Sequence, residues 1–182
     1  MSSKSFLILD TGPLSYFTYG EVFDVFRRLF ANRMFIPRSV FKETQYDHKV
    51  HENTLNAISN GWLRVVENLT GEEIQVASEL FIRGLSIGEA ETIAIASARK
   101  WILVCDESLA RKIAREMNIF VTGSLGLLYK AVQNQVLTAV EADQAIDRMR
   151  QENQRIPSEI SSFADLSRFV VSRGRDRFLN EL

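Results

Sequence analysis

The chain has one cysteine, Cys105, in 182 residues, which excludes an internal disulfide and a cysteine-rich zinc site. It contains no apolar run near the roughly 20 residues that a membrane-spanning helix needs. The opening Met1-Ser2-Ser3-Lys4-Ser5 leads into a brief strand-like run. That run is too short for a signal-peptide core, and no small-residue cleavage site follows it. The expected address is therefore cytoplasmic. Internal repeats and low-complexity linkers are missing too. So is any basic excess, since 22 lysines and arginines face 23 aspartates and glutamates for a net charge of −1. Such a balance does not announce a nucleic-acid binder, although acids gathered around metal ions would leave the remaining surface more basic. What is present is length for one domain with a real core. Hydrophobic content of 46% and charged content of 25% are those of a globular protein.

Short apolar runs alternate with helical patterns. Phe6-Leu7-Ile8-Leu9 reads as a strand buried on both faces, ending at the turn residues Asp10-Thr11-Gly12-Pro13. A helical pattern runs from Val22 to Phe30, and Met34-Phe35-Ile36-Pro37 is a second strand. Ser39 is placed to cap a helix carrying Val40, Phe41 and Glu43. The polar stretch from Thr44 to Glu52 is a loop or a solvated helix surface. Trp62 to Val66 is a third strand, followed by a helix from Gly71 to Ile82 and another from Leu85 to about Lys100. Ile102-Leu103-Val104-Cys105 is a fourth strand ending on Asp106, and Ser108 to Met117 is helical. Ile119-Phe120-Val121 is a fifth strand, and a helix follows Thr122-Gly123-Ser124. Alternation of this kind predicts an α/β fold, a three-layer α/β/α sandwich around a mostly parallel five-stranded sheet. Beyond Leu137 the pattern is purely helical, with helices from Val140 to Met149 and from Phe163 to Leu182. The division expected is a catalytic unit over residues 1–137 and a helical C-terminal extension over 138–182, packed on the same domain or on a partner.

Ligand sites in open α/β sheets lie beyond the carboxyl ends of the strands, where Asp10 and Asp106 stand. Singly, each serves equally well as a helix cap or turn former. As a set with Glu43 and the acids of the alanine-rich helix, they repel one another unless a cation joins them. Glu89 and Glu91 lie two residues apart and so point about 200° apart around a helix. Ser86 and Glu89 form a capping box, which gives Glu89 a structural duty and leaves Glu91 as the preferred site acid.

These residues resemble the PIN domain, in particular the branch of VapC-type toxin ribonucleases. Leu9-Asp10-Thr11-Gly12-Pro13-Leu14 is similar to that branch's first motif, and Ile36 through Glu43 to its second. Gly88-Glu89-Ala90-Glu91-Thr92-Ile93-Ala94-Ile95-Ala96 resembles the third and Asp106 through Arg111 the fourth, followed by Val121 through Leu128. The likeness runs from Phe6 to Leu137, in order; the tail beyond Ile156 lies outside it. The resemblance implies an acidic cluster that binds Mg²⁺ or Mn²⁺ and hydrolyses RNA, with Asp10, Glu43, Glu91 (or Glu89) and Asp106 as ligands. Ser124 stands where the family has a small hydroxyl residue, and Glu107 where the branch often shows a second aspartate. The resemblance also implies the toxin half of a toxin–antitoxin pair, with an antitoxin as partner and a homodimer as assembly.

The residues support the chemistry on their own. Hard oxygen donors without histidine or thiolate suit Mg²⁺ or Mn²⁺. A metal pair can activate water and steady the leaving oxygen of a phosphodiester. Other features have plainer readings. His48 and His51 sit in a polar stretch with no acid fixed beside them, and Cys105 is a core residue. Arg111, Lys112 and Arg115 form a solvated helix face, although Arg111 can reach a substrate phosphate. Phe23, Phe26 and Phe30 are core or a dimer face. A phosphatase needs a second aspartate two residues after the first, where Gly12 stands, and a receiver domain needs a lysine where Ser124 stands. The alternative that survives is a non-catalytic module of the same fold, binding RNA or protein.

Overall fold

A computed structural model describes residues 5–173 and Leu179. The later part of the last expected helix lies outside the described residues. Five strands form one sheet: β1 (Leu7–Leu9), β2 (Met34–Pro37), β3 (Leu63–Val66), β4 (Ile102–Val104) and β5 (Val121–Thr122). Their order is β3-β2-β1-β4-β5 and every neighbouring pair is parallel. Side chains alternate across it, as the two-residue period of a strand requires. Leu7 and Leu9 join one core with Met34, Ile36, Ile102 and Val104, while Ile8, Leu103 and Cys105 join the other.

Ten helices occur among the described residues. Toward the first core lie α1 (Thr11–Tyr19), α2 (Asp24–Phe30), α4 (His48–Ser59), α8 (Ser124–Gln133), α9 (Ala139–Gln151) and α10 (Phe163–Ser172). Toward the second lie α5 (Gly71–Ile82), α6 (Ile87–Arg99) and α7 (Ser108–Glu116), with α3 (Arg38–Thr44) following β2 at the sheet's carboxyl edge. The architecture is the expected three-layer α/β/α sandwich. Phe26 and Phe30 are fully buried, Phe26 stacked on Phe17 at 4.2 Å between ring centroids, and so belong to the core. Helix α9 buries Ala142, Ala145, Ile146 and Met149 in the first core beside α1, α8 and α10.

Three local expectations change. The residues Thr11-Gly12-Pro13 form no separate turn; they are the first turn of α1, with Asp10 at its N-cap. Proline is tolerated there because a first-turn N–H has no intrahelical acceptor. The helix after β2 begins at Arg38, behind Pro37, so Ser39 is not its cap. The fifth strand begins only at Val121, since the Ile119 amide turns back to the Ala114 carbonyl at the end of α7.

The sheet has its switch point between β1 and β4. From β1 the chain moves outward through β2 to β3, then returns past β1 to place β4 on the other side. Strands leaving the centre in opposite directions open a crevice at their carboxyl ends. Register pairs Leu9 with Val104, and the Asp10 amide donates to the Val104 carbonyl at 3.0 Å. Asp10 and Asp106 therefore leave the sheet side by side.

Candidate active site

A cavity of about 550 Å³ fills this crevice, walled by Asp10, Glu43, Glu89, Asp106 and Glu107. The carboxylates come from four places: the end of β1, α3, the first turn of α6, and the loop after β4. Asp10 is only 7% exposed. Burial pushes its carboxyl up to about 7, reinforced by the negative charges of Glu89, Glu43 and Asp106, while the Thr11 amide offsets only part of this. Asp106 is raised as well, again mainly by burial, with Ser124 and the Arg111 charge pulling the other way. Ser124 is fully buried; its backbone amide donates to Asp106 at 2.8 Å and its hydroxyl at 2.5 Å. Gly12 opposes the Asp106 carboxylate across the crevice, where a Cβ would lie 3.5 Å from Oδ2.

Glu43 accepts the Thr11 hydroxyl at 2.6 Å and rests on Gly88, where an added Cβ would fall 2.5 Å from its Oε1. Glu89 forms the expected capping box with Ser86: its Oε2 accepts the Ser86 amide at 2.7 Å. It also lines the cavity. A carboxylate has about four acceptor positions, so capping does not use it up. The structure sets the two α6 acids in different surroundings. Glu91 is not among the cavity's lining residues; it accepts the Ser39 hydroxyl at 2.5 Å instead. Ser39 lies one turn before Glu43 on α3, so Glu91 braces the helix that carries Glu43.

Glu107 takes a long ion pair with Arg155 at 3.5 Å. Arg111 donates to the Cys105 carbonyl at 2.8 Å, which fixes it beside Asp106. Cys105 is buried and its thiol is pushed well up by burial, in keeping with a core role. His51 bonds to Thr44 at 2.8 Å and packs on Phe41, a structural position.

Several lining residues carried no sequence signal. Tyr16 reaches across to donate its hydroxyl to the Arg155 carbonyl at 2.7 Å. Asn153, Gln154 and Arg155, just after α9, close the cavity on that side. On α1, Gly12 and Tyr16 are neighbours on one helical face, four residues apart, a signal that depends on the helix starting at Thr11. Nothing in the spacing marks residues 153–155, because their place depends on how α9 docks.

A PIN-domain family model matches residues 6–164. The chain belongs to the PIN-domain family. The match reaches past Leu137 through α9, so this PIN domain takes in the segment that brings Arg155 to the cavity. PIN domains are in general nucleases and typically use divalent metal ions. No curated protein and no solved structure matches the chain. No helix among the described residues is long and apolar enough to cross a membrane.

Whether the site suits a divalent cation can be judged from its donors. Among the described residues no group of three or more His, Cys, Asp or Glu stands as a ready metal cage. Asp106, Glu43 and Glu89 each accept hydrogen bonds from neighbouring hydroxyl or amide groups, which hold the carboxylates in place. The donor set nonetheless fits Mg²⁺ or Mn²⁺: it is all oxygen, and five carboxylates face one arginine, Arg155, among the cavity's residues.

Proposed function

We propose that this PIN protein is a metal-dependent ribonuclease that hydrolyses RNA phosphodiester bonds at the cavity between β1 and β4. The observation that carries the reading is Asp10, a buried carboxylate crowded by Glu43, Glu89 and Asp106 at the sheet's switch point. Asp10, Asp106, Glu43 and Glu89 would hold the ion or ion pair. When bound, divalent cations supply Lewis acidity to the phosphoryl group and to the attacking water. The chain's own residues do the rest. Ser124 fixes the Asp106 carboxylate, Thr11 and Gly88 fix Glu43, and the Ser86 amide fixes Glu89. Arg155, held at its carbonyl by Tyr16, offers its charge to the substrate phosphate.

Within this reading the five motif likenesses support the VapC-like branch, hence a cytoplasmic toxin with an antitoxin partner and a homodimeric assembly. The second reading is a non-catalytic module of the same fold that binds RNA or protein. Cleavage of a mixed RNA pool separates the two. Wild-type protein should cut only with Mg²⁺ or Mn²⁺, and Asp10→Asn and Asp106→Asn should each lose at least about 100-fold, the scale of removing a group that acts on developing charge. Equal activity in all three proteins, or cleavage without metal, overturns the proposal.

A further inference from the structure

The parallel pairing of β4 with β5 runs out at Cys105. Leu103 and Cys105 donate their amides to the Phe120 and Thr122 carbonyls, at 2.9 and 3.1 Å, on the even spacing of a parallel ladder. One further step of that ladder would bring the Ser124 amide to the Cys105 carbonyl. Instead the Ser124 amide donates to Asp106 Oδ1 at 2.8 Å. Cys105 is 1% exposed, and a buried carbonyl left without a donor is costly. The donor comes from α7. Arg111 reaches back from the second turn of that helix and places Nη1 2.8 Å from the Cys105 oxygen.

Gly123 leaves room for this exchange. It is the N-cap of α8, a position that favours a serine, threonine, aspartate or asparagine side chain. Its backbone is extended, with φ at −135°, so no left-handed turn calls for glycine here. Space does. A Cβ at this position would collide with Arg111 Nη1 and lie 2.6 Å from Asp106 Oδ1 and 3.1 Å from the Cys105 oxygen. Guanidinium, carboxylate and carbonyl therefore meet against a residue that has no side chain. Arg111 is not among the residues that line the acidic cavity; it lies behind Asp106, on the wall of a neighbouring one. Its place there, with a donor committed to a backbone carbonyl, suits holding Asp106 better than meeting a substrate phosphate.

We propose that Arg111 is a positioning residue for Asp106: by standing in for the Ser124 amide on the Cys105 carbonyl, it frees that amide to hold the Asp106 carboxylate at the acidic cavity. Without the guanidinium, the Cys105 carbonyl takes back the Ser124 amide, and Asp106 keeps only the Ser124 hydroxyl. The effect on turnover rests on the metal-dependent nuclease reading; the exchange of hydrogen bonds does not.

The test uses the full chain with Arg111→Met, which keeps a long side chain and removes the donor, and Arg111→Lys, which restores one. Gly123→Ala acts on the same three groups from α8 and carries the test if Arg111→Met does not fold. The first readout is the Ser124 backbone amide in the ¹H–¹⁵N NMR spectrum of metal-free protein. Asp106→Asn should move that signal in the wild-type background and leave it in place in the Arg111→Met and Gly123→Ala backgrounds, where the amide has returned to Cys105. The second readout is Mn²⁺ affinity by electron paramagnetic resonance. It should fall about tenfold in Arg111→Met and Gly123→Ala, the usual effect of losing a group that orients a metal ligand, and stay within about threefold in Arg111→Lys. Cleavage of RNA should lose kcat by a similar factor while KM stays within about twofold. A Ser124 signal that still follows Asp106 in both disrupted backgrounds overturns the proposal. So does a raised KM with kcat unchanged, which would put Arg111 on the substrate. If the wild type cuts RNA and both disrupted variants match it, the positioning role fails alone. If the wild type never cuts and the Ser124 signal behaves as expected, the nuclease reading fails alone.

Discussion

Ser124 donates to Asp106 twice, its amide to Oδ1 at 2.8 Å and its hydroxyl to Oδ2 at 2.5 Å. The pair joins the start of α8 to the end of β4 and counters the rise that burial imposes on the Asp106 carboxyl. Ser124→Ala keeps the amide bond and loses the hydroxyl bond. The Asp106 carboxyl should then rise further, and the acid limb of the cleavage pH profile should move to higher pH. Stability should fall by about 1–3 kcal/mol, the cost of an unmet buried group, read from urea melts. An unmoved acid limb would remove the hydroxyl from any part in tuning Asp106.

Glu89 and Glu91 separate by substitution. Glu89→Gln keeps an acceptor for the Ser86 amide, because glutamine also completes a capping box, so α6 should persist. Its loss of charge in the cavity should lower kcat/KM about 100-fold. Glu91→Gln alters only the bond from Ser39, and a supporting contact of that kind is worth about tenfold. The opposite ranking in a kinetic comparison would return the site role to Glu91.

Stability should depend on pH through Asp10. Its carboxyl lies near 7 in the folded protein and near 3.9 in an unfolded chain, so the folded state binds the proton more tightly. The resulting stabilisation is full below the unfolded value and is lost as pH rises through about 7. Metal-free protein should therefore melt at lower temperature at pH 8 than at pH 5.5. Each kcal/mol corresponds to roughly 2–4 °C in a chain of this size, so a difference of several degrees is expected. Asp10→Asn should flatten that slope, and Mg²⁺ or Mn²⁺ should restore stability at pH 8. A slope that survives Asp10→Asn assigns the effect to another group.

Gly88→Ala tests the seat of Glu43. In an open helix the change adds about 1 kcal/mol of stability. Here the new Cβ would fall 2.5 Å from Glu43 Oε1, so the carboxylate must move off α6. Cleavage should drop with little gain in melting temperature. Full activity together with a helix-type gain would show that Glu43 needs no fixed seat.

Much of the fold was legible because its signals are local. The short apolar runs that hold Leu7–Leu9 and Ile102–Val104, bounded by turn residues, are buried strands as their pattern suggests. Ser86 and Glu89 mark a helix start three residues apart, and the structure contains that capping box as read. The difference at Thr11–Pro13, a turn expected and a helix start found, has a local cause as well: glycine and proline punctuate turns and also suit the first turn of a helix.

The sequence by itself determined the parallel α/β plan and the aspartates at two strand ends, since burial pattern and chain order suffice for both. It also determined that Glu89 and Glu91 point apart, because helical pitch depends on no distant contact. Only the tertiary structure decided which of the two faces the cavity. That choice depends on how α6 is rolled against the sheet and α3, which is set by side chains far away in the chain. The same long-range packing, of α9 on α1 and α8, carries Arg155 across to Glu107.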